Sequence, residues 1–404
     1  MITPLYNIES EILDNITERK LSLVFDDFTI GSDNIVAESF ELDNSILDQD
    51  EFKLGGCIAS QMNISVYDVE NDLTGKKFKL YIDMSYNTNV LYPSENLLPS
   101  ENQYPLTTIK SCKYCLFTGF VYSAKRQNNR HIRDIIAFDD MYKLSQIYCK
   151  YNFYNYVYHR YSDSAVKQTI TVGDLMKAIF DWSDVKAQSF GINNFFNLTK
   201  ELNFDYKLIE STINEKITLI DLLSACCELN ACFAIVDRDG LIVFKTLYDT
   251  SASLETHTRA NISTYSNLSF EDYTMKPITM ISFPYNNNKV FKYGSSEKYS
   301  YYNSDNIVTR CCTDIRAIVT AFSDNASHNY IFNNVYSYRP YSADIFGRWW
   351  IEAGDFVSIP TTYDDVKTVN SFVLSRTLKG INGMTCTIEA KGVEYLGKDE
   401  LTDE

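Results

Sequence analysis

From Trp349 to Gly392 the chain reads WWIEAGDFVSIPTTYDDVKTVNSFVLSRTLKGINGMTCTIEAKG, and this stretch constrains the fold more than any other. Val357 and Ile359 alternate with Ser358 and Pro360. Phe372 and Leu374 alternate with Ser371, Val373 and Ser375, and Cys386 and Ile388 alternate with Thr385, Thr387 and Glu389. A side-chain period of two with one apolar face is the pattern of strands that bury one side of a sheet. Gly354-Asp355 supplies a turn before the first of these strands, and Gly380-Ile-Asn-Gly383 a turn between the last two. A similar segment runs from Ile35 to Tyr81, with a matching Gly-rich lead-in and hairpin. The expected organisation is two sheet domains flanking a helical insert.

Taken in order, the chain predicts a helix from about Ile8 to Arg19, with Ile8, Ile12, Leu13 and Ile16 at helical spacing and Asn7 as its N-cap. Strands are predicted at Leu21–Phe25, at Ile35–Leu42 and through Met62, Ile64 and Val66. Asp72-Leu-Thr-Gly75 turns into a strand at Lys77–Ile82, and Ser85 to Pro105 reads as an exposed polar excursion. Tyr114–Ala124 and Arg133–Phe138 complete a first β domain, residues 1–150. The Tyr-rich run YNFYNYVYHRYSD after Lys150 has few basic residues for stacking on nucleic acid, so it reads as a packing surface.

A connector and α/β insert is assigned to residues 151–250. Thr171-Val-Gly-Asp and Thr218-Leu-Ile-Asp place Thr and Asp three apart, as an N-cap and its capping-box partner. Leu175, Ile179 and Trp182 mark the buried side of the first helix; Leu219, Leu222, Leu223 and Cys226 mark that of the second. Asp237-Arg-Asp-Gly240 between two apolar runs is a hairpin turn, and it lacks the later ligands of a calcium loop. A second β domain covers residues 251–397. It has a strand at Ile278–Phe283, a turn at Tyr285–Lys289 and a polar excursion from Ser295 to Asn306. A helix follows over Cys311–Phe322, with Cys312, Ile315, Ile318 and Val319 on its apolar side. Residues 398–404 form an acidic, disordered tail.

Composition narrows the function. The 404 residues carry a net charge of −16, which argues against bound nucleic acid, because neutralising phosphates takes clustered Lys and Arg. Tyr 30 and Phe 24 are high counts that suit strands and large interfaces. No stretch approaches 18 apolar residues and no basic-then-apolar leader opens the chain, so membrane insertion and secretion are not expected. The ten cysteines fit reduced thiols in a reducing cytoplasm. Cys112-Lys-Tyr-Cys115 is the only CxxC, and zinc would need a second pair where the nearest further ligand is His131. The four histidines, 131, 159, 257 and 328, are scattered, and no HExxH, GxSxG or P-loop occurs. No catalytic, cofactor-binding or metal-ligating residue is assigned.

The order of the motifs resembles the hub protein of tailed-phage tail tips and related contractile injection particles. The resemblance is carried by FKLGGCIAS at 52–60, TGKKFKLYI at 74–82, RDIIAFDDMYKL at 133–144 and TVGDLMKAI at 171–179. CFAIVDRDGLIVFK at 232–245, IEAGDFVSI at 351–359 and TCTIEAKG at 385–392 complete it. It implies an α+β, mostly β protein with two tail-tube-like β-barrels around the α/β insert, and a homotrimer whose six similar domains match a hexameric tube. The implied partners are the chain itself, a distal tail or tail tube protein, a tape measure protein, and a spike or tail fibre protein. DNA would pass without specific binding. The implied setting is the virion tail tip, assembled in the bacterial host cytoplasm, with no enzyme activity and no cofactor. Two alternatives are a tail-associated cell-wall hydrolase or peptidase using carboxylates, and a host-surface binding module resting on exposed Trp349-Trp350 and the Tyr run.

Overall fold

The computed structural model describes residues 16–47, 53–89, 107–128, 131–161, 169–187, 201–203, 216–230, 232–245, 247, 259–261, 265–275, 278, 280–286, 289–294, 301–312, 338–346, 348–361 and 368–392. The first segment holds β1 (Ile16–Phe25), β2 (Thr29–Ile30), β3 (Glu41–Ser45), β4 (Gln61–Tyr67), β5 (Lys77–Asn89), β6 (Thr107–Arg126) and β7 (Ile132–Phe138). The middle holds α1 (Met141–Gln146), α2 (Tyr151–Tyr161), β8 (Thr169–Thr171), α3 (Val172–Ser183), β9 (Glu201–Asn203), α4 (Leu219–Leu229), β10 (Phe233–Val236) and β11 (Ile242–Lys245). Last come β12 (Arg259–Asn261), β13 (Tyr265–Phe270), β14 (Met280–Tyr285), β15 (Lys289–Gly294), β16 (Tyr301–Asn303), α5 (Ile307–Arg310), β17 (Tyr341–Phe346), β18 (Phe356–Pro360), β19 (Thr368–Phe372), β20 (Ser375–Lys379) and β21 (Thr385–Ala390). The protein is mostly β.

Eleven of these strands form one antiparallel sheet in the order β13-β17-β21-β20-β3-β4-β7-β6-β5-β1-β2. Both ends of the chain contribute, and they meet where β20 pairs with β3, Lys379 opposite Glu41 and Ser375 opposite Ser45. Each β domain is expected to close on itself; the described strands instead share one open sheet. Within it a pattern recurs. The run β13-β17-β21-β20 and the run β3-β4-β7-β6 each place two strands in chain order, then the second strand of a later hairpin, then its first. The β20–β21 hairpin thus corresponds by position to β6–β7, and not to the Ile35–Tyr81 segment that sequence similarity suggests.

The alternation predicted for β4 and β21 is seen directly. Met62, Ile64 and Val66 are buried on one face, as are Cys386, Ile388 and Ala390, while the intervening residues are half-buried. The closing stretch departs at one place. Phe372, Val373 and Leu374 are all buried, because β19 pairs with β18 in a separate small sheet and β20 joins the large one. The chain turns a corner there, and both faces of the corner are covered.

Other expectations are corrected. Ile16–Arg19 belongs to β1, paired against Met84–Tyr86, and is not helical; the rest of that predicted helix lies outside the described residues. Of the predicted strand Ile35–Leu42, Ile35 makes one bridge to Val66 and Glu38 takes a left-handed φ of 61°, so the strand starts only at Glu41. The excursion after Ser85 is β strand to Asn89, and Tyr301–Asn303 pairs in parallel with β14. Of the helix predicted over Cys311–Phe322, only Cys311 and Cys312 are described, Cys311 as the C-cap of α5; Ile315, Ile318 and Val319 fall outside the described residues, as does the acidic tail.

Capping boxes open both insert helices. The Thr171 hydroxyl accepts from the Asp174 N–H (3.1 Å), and the Thr218 N–H donates to Asp221 Oδ2 (2.8 Å). Leu175, Ile179, Leu219, Leu222, Leu223 and Cys226 are buried as predicted. Trp182 is not: it is 40% exposed and covers ring edges of Phe153 and Tyr156 on α2, which the Tyr-rich run forms. That run buries Phe153, Tyr154 and Val157 and leaves Tyr151 and Tyr158 outward.

Candidate functional site

Among the described residues, two joints between parts of the chain are polar or sterically exacting. At the first, α4 touches all three segments. Gly55, in the left-handed region at φ 82°, carries the 53–57 loop against the helix, where a Cβ would lie 2.4 Å from the Ser224 carbonyl oxygen, and Gly56 passes the end of β3, where a Cβ would lie 1.8 Å from the Ile46 carbonyl oxygen. Those contacts explain the paired glycines of the FKLGGCIAS motif. From the other side, Asn306 donates to the Ala225 carbonyl (2.9 Å) and to Glu228 Oε2 (2.6 Å), while its Oδ1 accepts the Val308 and Thr309 N–H groups and caps α5.

The second joint is a charged cluster where β20, the β10–β11 hairpin and the 349–355 loop meet. The hairpin turn is set by Asp237, whose Oδ1 accepts the Asp239 and Leu241 N–H groups at 2.9 Å each, with Gly240 at φ 85°. This geometry turns Arg238 inward. Its Nε donates to Glu352 Oε1 (3.0 Å) and its Nη2 to the Trp350 carbonyl (3.0 Å). Lys245 Nζ, from β11, reaches Glu352 Oε2 and the Ala353 carbonyl, both at 3.1 Å, and Asp355 Oδ1 at 3.7 Å. Arg376 sits on the buried face of β20 between Leu374 and Leu378, and its guanidinium donates to the Ile351 carbonyl and to Asn44 Oδ1. Asn44 then donates to Ser60 Oγ (2.7 Å), and the Ser60 N–H to Asp139 Oδ2 (2.9 Å).

The electrostatics follow from burial and partners. Burial alone would raise the Glu352 carboxyl, but Lys245, Arg238 and Arg376 outweigh it and hold it well below the usual carboxylate range. The same balance raises Lys245, burial being outweighed by Glu352 and Asp355. Asp355 and Arg376 respond mainly to burial, which pushes the first up and the second down. Burial also lifts Asp139 to about 7, against the N–H groups of Ser60 and Met141 that hydrogen-bond it. Asn44, Ser60, Asp139, Arg238, Glu352 and Arg376 line a cavity of about 30 Å³. Such a space holds one or two waters and no sugar or peptide. The cluster is built as a clamp: Arg238, Lys245 and the terminal nitrogens of Arg376 are spent on carbonyl and carboxylate oxygens of neighbouring segments.

The residues singled out in the sequence fall elsewhere or take other roles. Trp349 is buried, 6.0 Å between ring centroids from Tyr114 on β6 and edge-on to Trp350 at 4.7 Å. A host-surface site resting on an exposed Trp pair is thereby overturned; Trp349 packs one β segment against the other. Cys115, of the CxxC, donates its thiol to the Arg238 carbonyl (3.2 Å), and His131 pairs with Asp68 (2.9 Å) on an exposed hairpin. Among the described residues no three His, Cys, Asp or Glu side chains gather as a metal site. His257 and His328 lie outside the described residues. The clamp residues went unread in the sequence. The one available signal was Arg376, a cation at a core-facing position of an alternating strand.

No protein-family model and no curated protein matches the chain. Among solved structures it is similar to a tail protein from Neisseria meningitidis MC58, at 12% identity over 93% of this chain and 97% of that one, TM-score 0.49. It is similar also to the 43 kDa tail protein of prophage MuSo2 from Shewanella oneidensis, at 8% identity over 92% and 97%, TM-score 0.48. A third is prophage tail protein gp18 from Listeria monocytogenes EGD-e, at 13% identity over 93% and 95%, TM-score 0.42. All three structural neighbours are described as tail proteins, the second and third of them from prophages.

Proposed function

We propose that this chain is a structural hub of a phage-type tail tip. Three copies form a ring that joins a hexameric tail tube to a spike or fibre and lines the passage for tape measure and DNA. The observation that carries the reading is the repeated strand order, β13-β17-β21-β20 followed by β3-β4-β7-β6, joined edge to edge at β20–β3. The two runs follow each other in the same sense across the sheet. That is a head-to-tail contact, the kind that generates rings when the rotation closes. Two such units per chain give a trimer six equivalent positions. In this reading residues 1–150 and 251–397 each complete a tail-tube-like barrel, 151–250 form the α/β insert, and 398–404 are a disordered acidic tail.

The net charge of −16 supports a wall that repels passing phosphates. The small cavity at the clamp, with room for one or two waters, supports a structural role over a carboxylate hydrolase. Mass photometry of the purified chain across a concentration series, with imaging of tail particles carrying a tagged copy, tests the reading. Trimers, and three copies at the tip, are expected; a monomer at every concentration and a tag away from the tip refute it.

A further inference from the structure

The α4 joint also holds a pair of thiols that its structural role does not use. Cys57 Sγ points at Cys227 Sγ, 3.8 Å away, across the contact between the 53–57 loop and the helix. Neither sulfur is there by side-chain wandering. Cys57 is fixed by its bridge to Ala234 and by the Ala234 N–H donating to the Gly56 carbonyl at 3.1 Å; Cys227 lies within α4. Cys232 also lies beside Cys227, and its thiol donates to the Cys227 carbonyl (3.6 Å), so it is the competing partner that a test must distinguish.

We infer that Cys57 and Cys227 are a latent disulfide, closed by a low-molecular-weight disulfide when the protein meets an oxidising medium, which staples the first β segment to the insert. A disulfide needs the two sulfurs about 2 Å apart, so a modest side-chain rotation on each anchor closes the gap. Cys57 is 9% exposed and Cys227 fully buried, which orders the steps. The Cys57 thiolate attacks one sulfur of the oxidant, forming a mixed disulfide and releasing one thiolate. The Cys227 thiolate then attacks the Cys57 sulfur and releases the second. Two protein thiols are oxidised, the oxidant is reduced to two small thiols, and the two protons go to those thiols. Burial holds both cysteines of the folded protein well above their ordinary pKa, so thiolate is scarce there. Closure then requires the 53–57 loop to open, and it is slow. The bond would close a span of 170 residues and so restrain the unfolded chain strongly.

The test uses the full chain, incubated with excess oxidised glutathione at mildly alkaline pH with and without sub-denaturing urea. It is then alkylated, digested and analysed by mass spectrometry. One Cys57–Cys227 linked peptide is expected, with the intact chain lighter by two hydrogens and a Tm that rises and falls back on reduction. Urea should speed the closure. Cys57→Ser and Cys227→Ser should each abolish the linked peptide and the Tm rise. Glutathione adducts without a linked peptide, a link through Cys226 or Cys232, or the same Tm rise in either folded variant overturns the assignment.

Discussion

Glu352 is the keystone of the charged clamp, and replacing it tests whether the clamp holds the segments together. Glu352→Gln keeps the shape and one acceptor oxygen while removing the charge that faces Arg238 at 3.0 Å and Lys245 at 3.1 Å. Each contact is worth about 5 kcal/mol of gross attraction at an effective dielectric near 20. Desolvation of all three groups cancels most of that. Side-chain exposures of 31% for Glu352, 12% for Arg238 and 23% for Lys245 place the cluster between surface pairs, worth about 0.2–1 kcal/mol, and buried ones, where losing one partner costs about 3–5. A loss of about 2–3 kcal/mol at neutral pH follows. The pH profile is the sharper test. Because the folded pKa of Glu352 lies below the ordinary glutamate value of 4.5, its contribution is fully present above 4.5 and fades as pH falls. Urea denaturation of wild type and variant from neutral to strongly acidic pH should show a gap in stability that is constant above pH 4.5 and shrinks below it. A gap under about 0.5 kcal/mol at neutral pH, or one that persists unchanged into acid, refutes the clamp, since an exposed pair or a shape defect would behave so.

Three further outcomes follow from single sites. Asp139, with its folded pKa lifted from 3.8 to about 7, contributes stability that is complete below 3.8 and lost as pH rises through 7, a swing of up to about 4 kcal/mol; Asp139→Asn should flatten the fall in urea midpoint between mildly acidic and mildly alkaline buffers. Trp349→Ala removes a side chain that is 1% exposed between two β segments and should cost about 3–5 kcal/mol, read as a drop in Tm with the near-ultraviolet dichroism of the Trp pair lost. Gly56→Ala puts a Cβ 1.8 Å from the Ile46 carbonyl oxygen and should cost about 3 kcal/mol or more, seen as poor soluble yield; normal yield and Tm would mean the loop and the Ile46 backbone do not approach so closely.

Much of the local structure was legible in the sequence, because its causes lie within a few residues. The alternation of Met62, Ile64 and Val66, and of Cys386 and Ile388, dictates strands with one buried face wherever they end up. Gly75, Gly240, Gly354 and Gly380 all take left-handed φ at the turns assigned to them, since only glycine does so without strain. Thr171 with Asp174 and Thr218 with Asp221 open helices, because hydroxyl and carboxylate satisfy amides three residues apart.

What the tertiary structure decided are the choices between partners far apart in the chain. Ile16 reads equally well as part of a helix, and pairing opposite Tyr86 made it strand, because a neighbouring edge with unmet N–H and C=O groups outweighs a weak helical spacing. Trp349 could have faced solvent until Tyr114 arrived to cover it. Arg238, Lys245, Glu352 and Arg376 are ordinary surface residues in sequence and become a clamp only when strands more than 300 residues apart pair at β20 and β3. Short-range patterning accounts for most of the strands, turns and caps, and long-range burial for which edges meet, which charges turn inward and which sulfurs come within 3.8 Å. Those outcomes depend on the free energy of covering whole surfaces, which no short window of residues contains.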